Sequence, residues 1–387
     1  MTGLAEAIVD LGAVAHNTRL LTRAAAGVQL MAVVKANAFG HGATAVARTA
    51  LANGASWLGV TSLPEALALR ADGITAPLLL WLYSPSEALD RALELDVDVS
   101  VSSPAALETL AETAERTGRT AFVHLKADTG LSRSGATADE WQHLVTVAAK
   151  LQGRQRISVR GIWSHLAQAE DPTDPGLHRQ LDAFAGARAL AADGGLTAPL
   201  THLANSAAVL QLPDTHFDLV RTGIALYGVE PVPGRSFGLR PVMTLQATVV
   251  LTKRVPAGSG VSYGPDHITD RETNLALVPV GFADGIPRGA AGQAEISVHG
   301  VRCPVVGRIA MDQIVVDVGA LHVRAGDTVT VFGPGTSGEP TVGDWARWAG
   351  TSPHEILTGI GTRVPRRWVS SSQPGLPASA EAIADLA

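Results

Sequence analysis

Lys35 is the first residue in this sequence whose type and setting suggest chemistry. It stands in Ala32-Val-Val-Lys-Ala-Asn-Ala-Phe-Gly-His-Gly42, at the end of an apolar run and just before a Gly-His-Gly turn. Barrel enzymes carry their catalytic groups at the C-terminal ends of strands. A lysine there is costly to bury unless its pKa falls, and a lowered pKa turns the amine into a Schiff-base nucleophile. A lysine snorkelling out of a strand end fits the same spacing, so residue type alone leaves both readings open. The other reactive residue types say less. The 12 histidines lack paired ligand spacing and the single cysteine, Cys303, cannot build a thiolate site, so no metal is expected. His41, after Gly40 at a turn, reads as structural.

A lysine of this kind needs a sheet to hold it, and the first 235 residues supply the pattern. Short apolar runs at Leu30–Val34, Trp57–Val60, Pro77–Trp81, Val97–Val101, Ala121–Lys126 and Val159–Trp163 are near-continuous rather than alternating, as in strands covered on both faces. Shorter runs near Thr201–Leu203 and Leu219–Val220 complete eight units. Helical patterns such as Ala43–Asn53, Leu63–Ala71, Pro104–Thr117 and Ala138–Lys150 lie between them. This favours a (β/α)8 TIM-like barrel over an open doubly wound sheet.

The texture then changes. Thr244–Thr252, Thr273–Val280, Ala294–Val298, Pro304–Val306, Gln313–Val318 and Thr328–Phe332 are β-rich, with helix returning only at Val342–Trp348 and Ser352–Thr358. The expected organisation is an α/β chain with a barrel over 1–235 and a mostly-β domain over 236–387. The first ten or so residues are candidates to join the β domain, and Ser370–Ala387 reads as a frayed tail.

Composition narrows the class. A chain of 387 residues with 46% hydrophobic content can bury a core without disulfides. A net charge of −6 without a basic stripe argues against nucleic-acid binding. One cysteine fits a reducing compartment. No uncharged apolar stretch approaches the ~20 residues of a membrane span, and Glu6 and Asp10 replace a basic leader. The expectation is a cytoplasmic protein with no membrane partner.

The lysine segment resembles that of the bacterial alanine racemases, and the likeness runs along nearly the whole chain. It is carried by Lys126-Ala-Asp-Thr-Gly-Leu-Ser-Arg133, Trp163-Ser-His-Leu-Ala-Gln-Ala169, His202-Leu-Ala-Asn-Ser206 and Arg221-Thr-Gly-Ile-Ala-Leu-Tyr-Gly228. Val261-Ser-Tyr-Gly264, Gly281-Phe-Ala-Asp-Gly285, Gly307-Arg-Ile-Ala-Met-Asp-Gln313 and Arg363-Val-Pro-Arg366 continue it. The resemblance implies a pyridoxal 5'-phosphate enzyme that interconverts L- and D-alanine, feeding peptidoglycan, as a homodimer with composite sites. Lys35 would hold the cofactor and act as the base on one face of the substrate. Tyr263 and Met311 of the second chain would approach from the other side, Tyr263 as the opposite base with His165 as its charged neighbour. Arg221 would face the pyridine nitrogen; because arginine keeps its proton, the ring would stay a weak electron sink, which suits return of the proton to the α-carbon. Asn205, Ser206, Gly223 and Ile224 would cradle the phosphate, although Asn-Ser before a helix also reads as a plain N-cap. Arg133 would orient cofactor and substrate carboxylate, Asp312 would line the substrate end with Met311, and Lys126 matches a lysine that is carbamylated in several relatives.

Three tyrosines of the family pattern are missing. Phe39 and Thr362 stand where relatives offer phenols near the phosphate, and Phe282 replaces another at the substrate entrance. These losses imply weaker cofactor retention. They also keep open a racemase of another amino acid in a specialised pathway; a non-catalytic pyridoxal-phosphate carrier is a further alternative.

Overall fold

The computed structural model describes residues 3–370 apart from 197, 199 and 265. The expected frayed tail beyond Ser370 lies outside the described residues. Strand β1 (Ala5–Asp10) runs straight into helix α1 (Leu11–Ala24). Asp10 fixes that junction, its carboxylate accepting from the backbone N–H of Gly12 at 2.8 Å and Ala13 at 3.2 Å.

Eight parallel strands come next: β2 (Gln29–Val33), β3 (Trp57–Val60), β4 (Leu78–Leu80), β5 (Asp98–Val101), β6 (Ala121–Lys126), β7 (Ile157–Trp163), β8 (Leu200–His202) and β9 (Leu219–Thr222). They lie side by side in the order β8-β7-β6-β5-β4-β3-β2-β9. Asp218 N–H to Thr201 O (3.1 Å) and Arg221 N–H to Ala204 O (3.0 Å) draw the two ends together, giving a nearly closed barrel. Helices α2 (Ala43–Leu51), α3 (Leu63–Ala71), α4 (Asp90–Glu94), α5 (Pro104–Thr117), α6 (Ala138–Gly153), α7 (Pro175–Asp193) and α8 (Ser206–Gln211) connect them. Several starts are set locally, as at Ser103 and Asp174, whose side chains cap helices that begin with proline. The expected barrel therefore forms, with each barrel strand within two residues of its apolar run.

The second sheet gathers β10 (Met243–Thr248), β11 (Leu251–Val255), β14 (Thr273–Val278), β15 (Glu295–Val298), β16 (Val301–Val306), β17 (Ile314–Gly319), β18 (Thr328–Phe332) and β19 (Arg366–Val369). Its order is β11-β14-β17-β16-β15-β18-β10-β1-β19, so β1 sits between β10 and β19. A separate two-stranded ribbon, β12 (Gly260–Val261) and β13 (His267–Ile268), projects between β11 and β14 in sequence; helices α9 (Val342–Ala349) and α10 (Pro353–Gly359) come after β18. The apolar run Thr244–Thr252, expected as one strand, is two. Val249 donates to Asp327 O on the β18 side, and Val250 donates to Leu277 O of β14. The chain changes partner between those residues, which a continuous apolar run does not reveal.

Asn17 ties the two halves at their junction. Buried in α1, it donates to Leu226 O (3.1 Å) and Arg240 O (2.8 Å) and accepts from Arg240 N–H (2.8 Å). Asn17→Ala leaves those backbone groups buried without a partner. It should lower unfolding stability by ~1–3 kcal/mol, read as a reduced urea midpoint at unchanged slope; an unaltered midpoint would remove this role.

Candidate active site

The site grows from the C-terminal ends of the barrel strands. Lys35 comes directly after β2 and Val34, and the chain beyond it turns the wrong way. Ala36, Asn37, Ala38 and Phe39 all have φ between 52° and 53°, four non-glycine residues in the left-handed region, at a cost of ~1–2 kcal/mol each. Surrounding groups hold this turn. Glu65 accepts from Ala36 N–H at 2.6 Å, and the Asn37 side chain accepts from Ala43 N–H at 2.9 Å. The β-sheet half reaches across as well: Arg366 Nε donates to Gly40 O (2.8 Å), and Trp368 Nε1 donates to His41 O (2.9 Å). His41 is wholly buried and its Nδ1 meets Ala38 O and Phe39 O, both at 2.9 Å, as a structural residue should. Gly42 has φ +98°, and a Cβ there would strike the Trp368 ring at 2.7 Å.

Lys35 points its Nζ towards the Trp81 ring, 6.0 Å from the centroid. Burial and the nearby Arg133 guanidinium lower its pKa, which favours the neutral, nucleophilic amine. Lys126, the last residue of β6, lies 4.3 Å from the Trp163 ring centroid and donates to Ser134 Oγ at 2.6 Å. Burial, then Arg221 and Arg133, push it down to about 8. Arg133 sits on the loop after β6, which Asp128 closes by accepting from Gly130 and Ser132 N–H.

Arg221, in β9, is buried. Its Nη2 donates to Ser164 O (2.8 Å), Leu203 O (3.1 Å) and His165 Nδ1 (3.3 Å), while Nη1 donates to His202 Nδ1 (3.1 Å). Among the described residues, Lys35, Lys126, Arg133 and Arg221 have no carboxylate ion-pair partner, so four basic groups converge on one cleft with only Glu65 and Asp128 opposing the two lysines from beyond contact. His165 shows the consequence: burial and these four charges push it down to about 3. In this single chain it is therefore a neutral imidazole, unlike the charged neighbour of Tyr263 that the resemblance implies.

The region expected to take a phosphate is built from Ser206 and Gly223. Ser206 Oγ accepts from Gly223 N–H (3.0 Å) and Ala225 N–H (3.3 Å). A Cβ on Gly223 would lie 3.3 Å from Phe39 Cζ, a tight contact that places the Phe39 ring edge against this segment. The Asn205 side chain caps α8 by accepting from Ala208 N–H at 3.1 Å, the plain N-cap arrangement. Phe39 stacks on Tyr227 at 4.6 Å, and Tyr227 spends its hydroxyl on Val33 O at 2.8 Å. Thr362 lies apart, in a groove with Asn37, Arg366 and Trp368.

Tyr263 and Met311 are 73% and 55% exposed, and no described contact joins either to Lys35 within the chain. The Tyr263 loop is nonetheless fixed: Ser262 Oγ donates to Arg308 O at 2.9 Å, and Arg308 pairs with Asp266. Arg363 bridges Asp284 (3.2 Å) and Asp312 (2.8 Å), next to Met311. Glu65, Trp81, Arg366 and the buried pair His124 and Asp98 also support the site, and none was expected from the sequence. For His124 a signal existed, since it lies two residues before Lys126 in β6 and so on the same strand face.

Comparison with known proteins gives this geometry its context. The model of the alanine racemase N-terminal domain matches residues 9–231, and that of the alanine racemase C-terminal domain matches residues 242–368. The chain belongs to the alanine racemase family. An alanine racemase of Frankia casuarinae is 51% identical over 367 residues, covering 94% of this chain and 96% of the relative. The crystal structure of the alanine racemase from D-cycloserine-producing Streptomyces lavendulae superposes with a TM-score of 0.94 at 48% identity, covering 96% of this chain and 98% of that one. The alanine racemase from Bartonella henselae, solved with covalently bound pyridoxal phosphate, is 30% identical with a TM-score of 0.85 over 95% of this chain and all of that one. No described helix is long and apolar enough to cross a membrane.

The depressed lysine gives this member of the alanine racemase family a pH signature. Between about 8 and 10.5 the unfolded Lys126 holds a proton that the folded one has lost. Stability of the apoprotein should therefore rise with pH across that window, by up to ~1.4 kcal/mol per unit from this group. The rise should flatten in Lys126→Met when urea midpoints are compared at pH 7.5, 9 and 10.5; parallel curves for the two proteins would contradict it.

Proposed function

We propose that the protein is a pyridoxal 5'-phosphate-dependent alanine racemase acting as a homodimer in the cytoplasm and supplying D-alanine for peptidoglycan. The observation that carries this reading is the convergence of four basic side chains, none in a contact ion pair among the described residues, around a lysine whose pKa burial and Arg133 lower. Such a cleft suits a polyanion bearing a carbonyl, and the donor set at Ser206, Gly223 and Ile224 suits its phosphate. The cofactor, when bound, withdraws electrons from the substrate α-carbon and makes its proton removable.

The chain's own residues decide the fate of that proton. Lys35 Nζ takes it on one face, and Tyr263 Oη of the second chain gives one on the other; reversal of those roles converts the opposite isomer. The exposure of Tyr263 and Met311 on the β-sheet half supports a composite site, since neither reaches Lys35 within one chain. Arg221 only donates hydrogen bonds, so towards a pyridine nitrogen it offers a fixed donor and accepts no proton. Arg133 suits the substrate carboxylate, with Met311 and Asp312 at the substrate end. Lys126, with a pKa near 8, retains a neutral fraction able to add carbon dioxide, and the resulting carbamate would offset Arg133.

The test tracks the α-proton. In deuterium oxide, the holoenzyme should exchange the α-hydrogen of both L- and D-alanine with loss of optical activity, and Lys35→Ala should abolish both. Exchange without loss of optical activity would exclude racemisation, and exchange only with other amino acids would move the substrate.

Phe39 gives a second expectation. Its Cζ faces Gly223, so Phe39→Tyr places a hydroxyl at the phosphate cradle. One hydrogen bond to a charged group, ~1.5–3 kcal/mol, should tighten cofactor retention by roughly 10–150-fold, measured as the free cofactor level at half-reconstitution. An unchanged level would mean that other groups already make up for the lost phenol.

A further inference from the structure

A line of buried polar groups runs down the barrel from Arg221 to its opposite end, and none of the chemistry above uses it. Arg221 Nη1 lies 3.1 Å from His202 Nδ1. His202 Nε2 lies 2.8 Å from His124 Nδ1, and His124 Nε2 lies 3.2 Å from Asp98 Oδ2. The other oxygen of Asp98 accepts from Arg160 Nη1 at 2.9 Å. His202, His124 and Asp98 have no solvent exposure, and Asp98 is the first residue of β5, at the end of the barrel away from the Lys35 cleft. Only Arg160 reaches water, with its side chain one-third exposed.

The backbone is shaped to admit this line. The β6–β7 pairing slips between Val123 and His124, pairing Val123 with Val159 and His124 with Gly161. Arg160 is the extra residue of that bulge, a device that redirects a side chain. At Gly161, a Cβ would fall 2.2 Å from His124 Nδ1, so any larger residue would displace the imidazole.

Donor and acceptor chemistry then fixes every hydrogen. Arginine only donates, so His202 Nδ1 must accept and its hydrogen sits on Nε2. That hydrogen points at His124 Nδ1, which must also accept, leaving the His124 hydrogen on Nε2, directed at the Asp98 carboxylate. A doubly protonated His124 would force a hydrogen onto His202 Nδ1, facing an arginine N–H. The line is therefore one-directional: Arg221 to His202 to His124 to Asp98, with Arg160 closing the far oxygen.

We propose that Asp98 and His124 are positioning residues for the active site, holding both imidazoles in the Nε2–H form so that His202 fixes the guanidinium of Arg221 where it would face the pyridine nitrogen of the cofactor. The proposal rests on the pyridoxal-phosphate racemase reading for its effect on rate, whereas the hydrogen placement stands on the barrel alone. A buried cation without a carboxylate ion-pair partner is thereby linked to a carboxylate through two rings. Such relays are strengthened by the low dielectric around them.

Asp98→Asn tests this with almost no change of shape. Arg160 can only donate, so the new amide turns its oxygen to Arg160 and its NH2 to His124. His124 Nε2 must then accept, both imidazoles switch to Nδ1–H, and a donor faces a donor at Arg221. Nitrogen-15 NMR of histidine-labelled holoenzyme, through two-bond ring couplings, should report Nε2–H at His202 and His124 in the wild type and Nδ1–H in the variant. The kcat for alanine should fall about 10-fold or more, with KM changed by less than about 3-fold. Arg160→Met frees the amide to rotate, so Asp98→Asn/Arg160→Met should recover the Nε2–H forms and most of kcat. Nδ1–H at His202 in the wild type overturns the proposal, and that measurement needs no variant to fold. Reversed tautomers with unchanged kcat, or a lost kcat that Arg160→Met does not restore, overturn it too. If wild-type holoenzyme has the stated tautomers yet does not racemise alanine, the racemase reading fails and the positioning role falls with it, while the hydrogen placement stands.

Discussion

Positive charge without a contact ion pair is the constraint around which this molecule is arranged. Lys35, Lys126, Arg133 and Arg221 share the mouth of the barrel, and among the described residues none forms an ion pair. Like charges at such range, partly withdrawn from water, raise the energy of every protonated form. The protein answers group by group. The lysines move towards neutrality, His165 is held neutral, and Arg221, which cannot shed its proton, is tied to two carbonyl oxygens and two imidazoles. The result is a site poised for an anion.

Keeping such a cleft in shape needs support from outside the barrel. The left-handed turn after Lys35 is expensive, and part of what stabilises it arrives from β19, through Arg366 and Trp368. The barrel strand that carries the lysine and the last strand of the second sheet are thus mechanically joined. The same join explains why Gly42 must lack a side chain: the Trp368 ring occupies that space. The two halves are one structural unit at the point where the chemistry is placed.

Much of this was legible in the residues. Continuous apolar runs located the barrel strands, because strands covered on both faces have no polar alternation to break the run. Lys35 stood out because it ends such a run, whereas Lys126 entered only through the family resemblance. Other features left no trace, for physical reasons. Ala-Asn-Ala-Phe has no glycine to betray a left-handed turn, whose cause lies in distant groups such as Glu65 and Arg366. The break in Thr244–Thr252 is a change of pairing partner, invisible in hydropathy. The bulge at Arg160 is a property of two strands together, so neither sequence segment announces it. His124 and Asp98 lie inside runs read simply as apolar strands, and only their alignment through the barrel gives them meaning.

The placement of β1 also bears on how the chain is made. Ala7 pairs with Arg366, and its other neighbour strand, β10, begins at Met243. On a ribosome, β1 emerges first and its outer partner last, roughly 360 residues later, on the order of 20–70 s at ordinary rates of synthesis. Until Met243–Thr248 is made, a strand with alternating buried residues has no sheet partner, while the barrel strands behind it can already pair. The edge of β1 that pairs with β19 stays open until Arg366–Val369 is made, so completion of the second sheet waits for that strand.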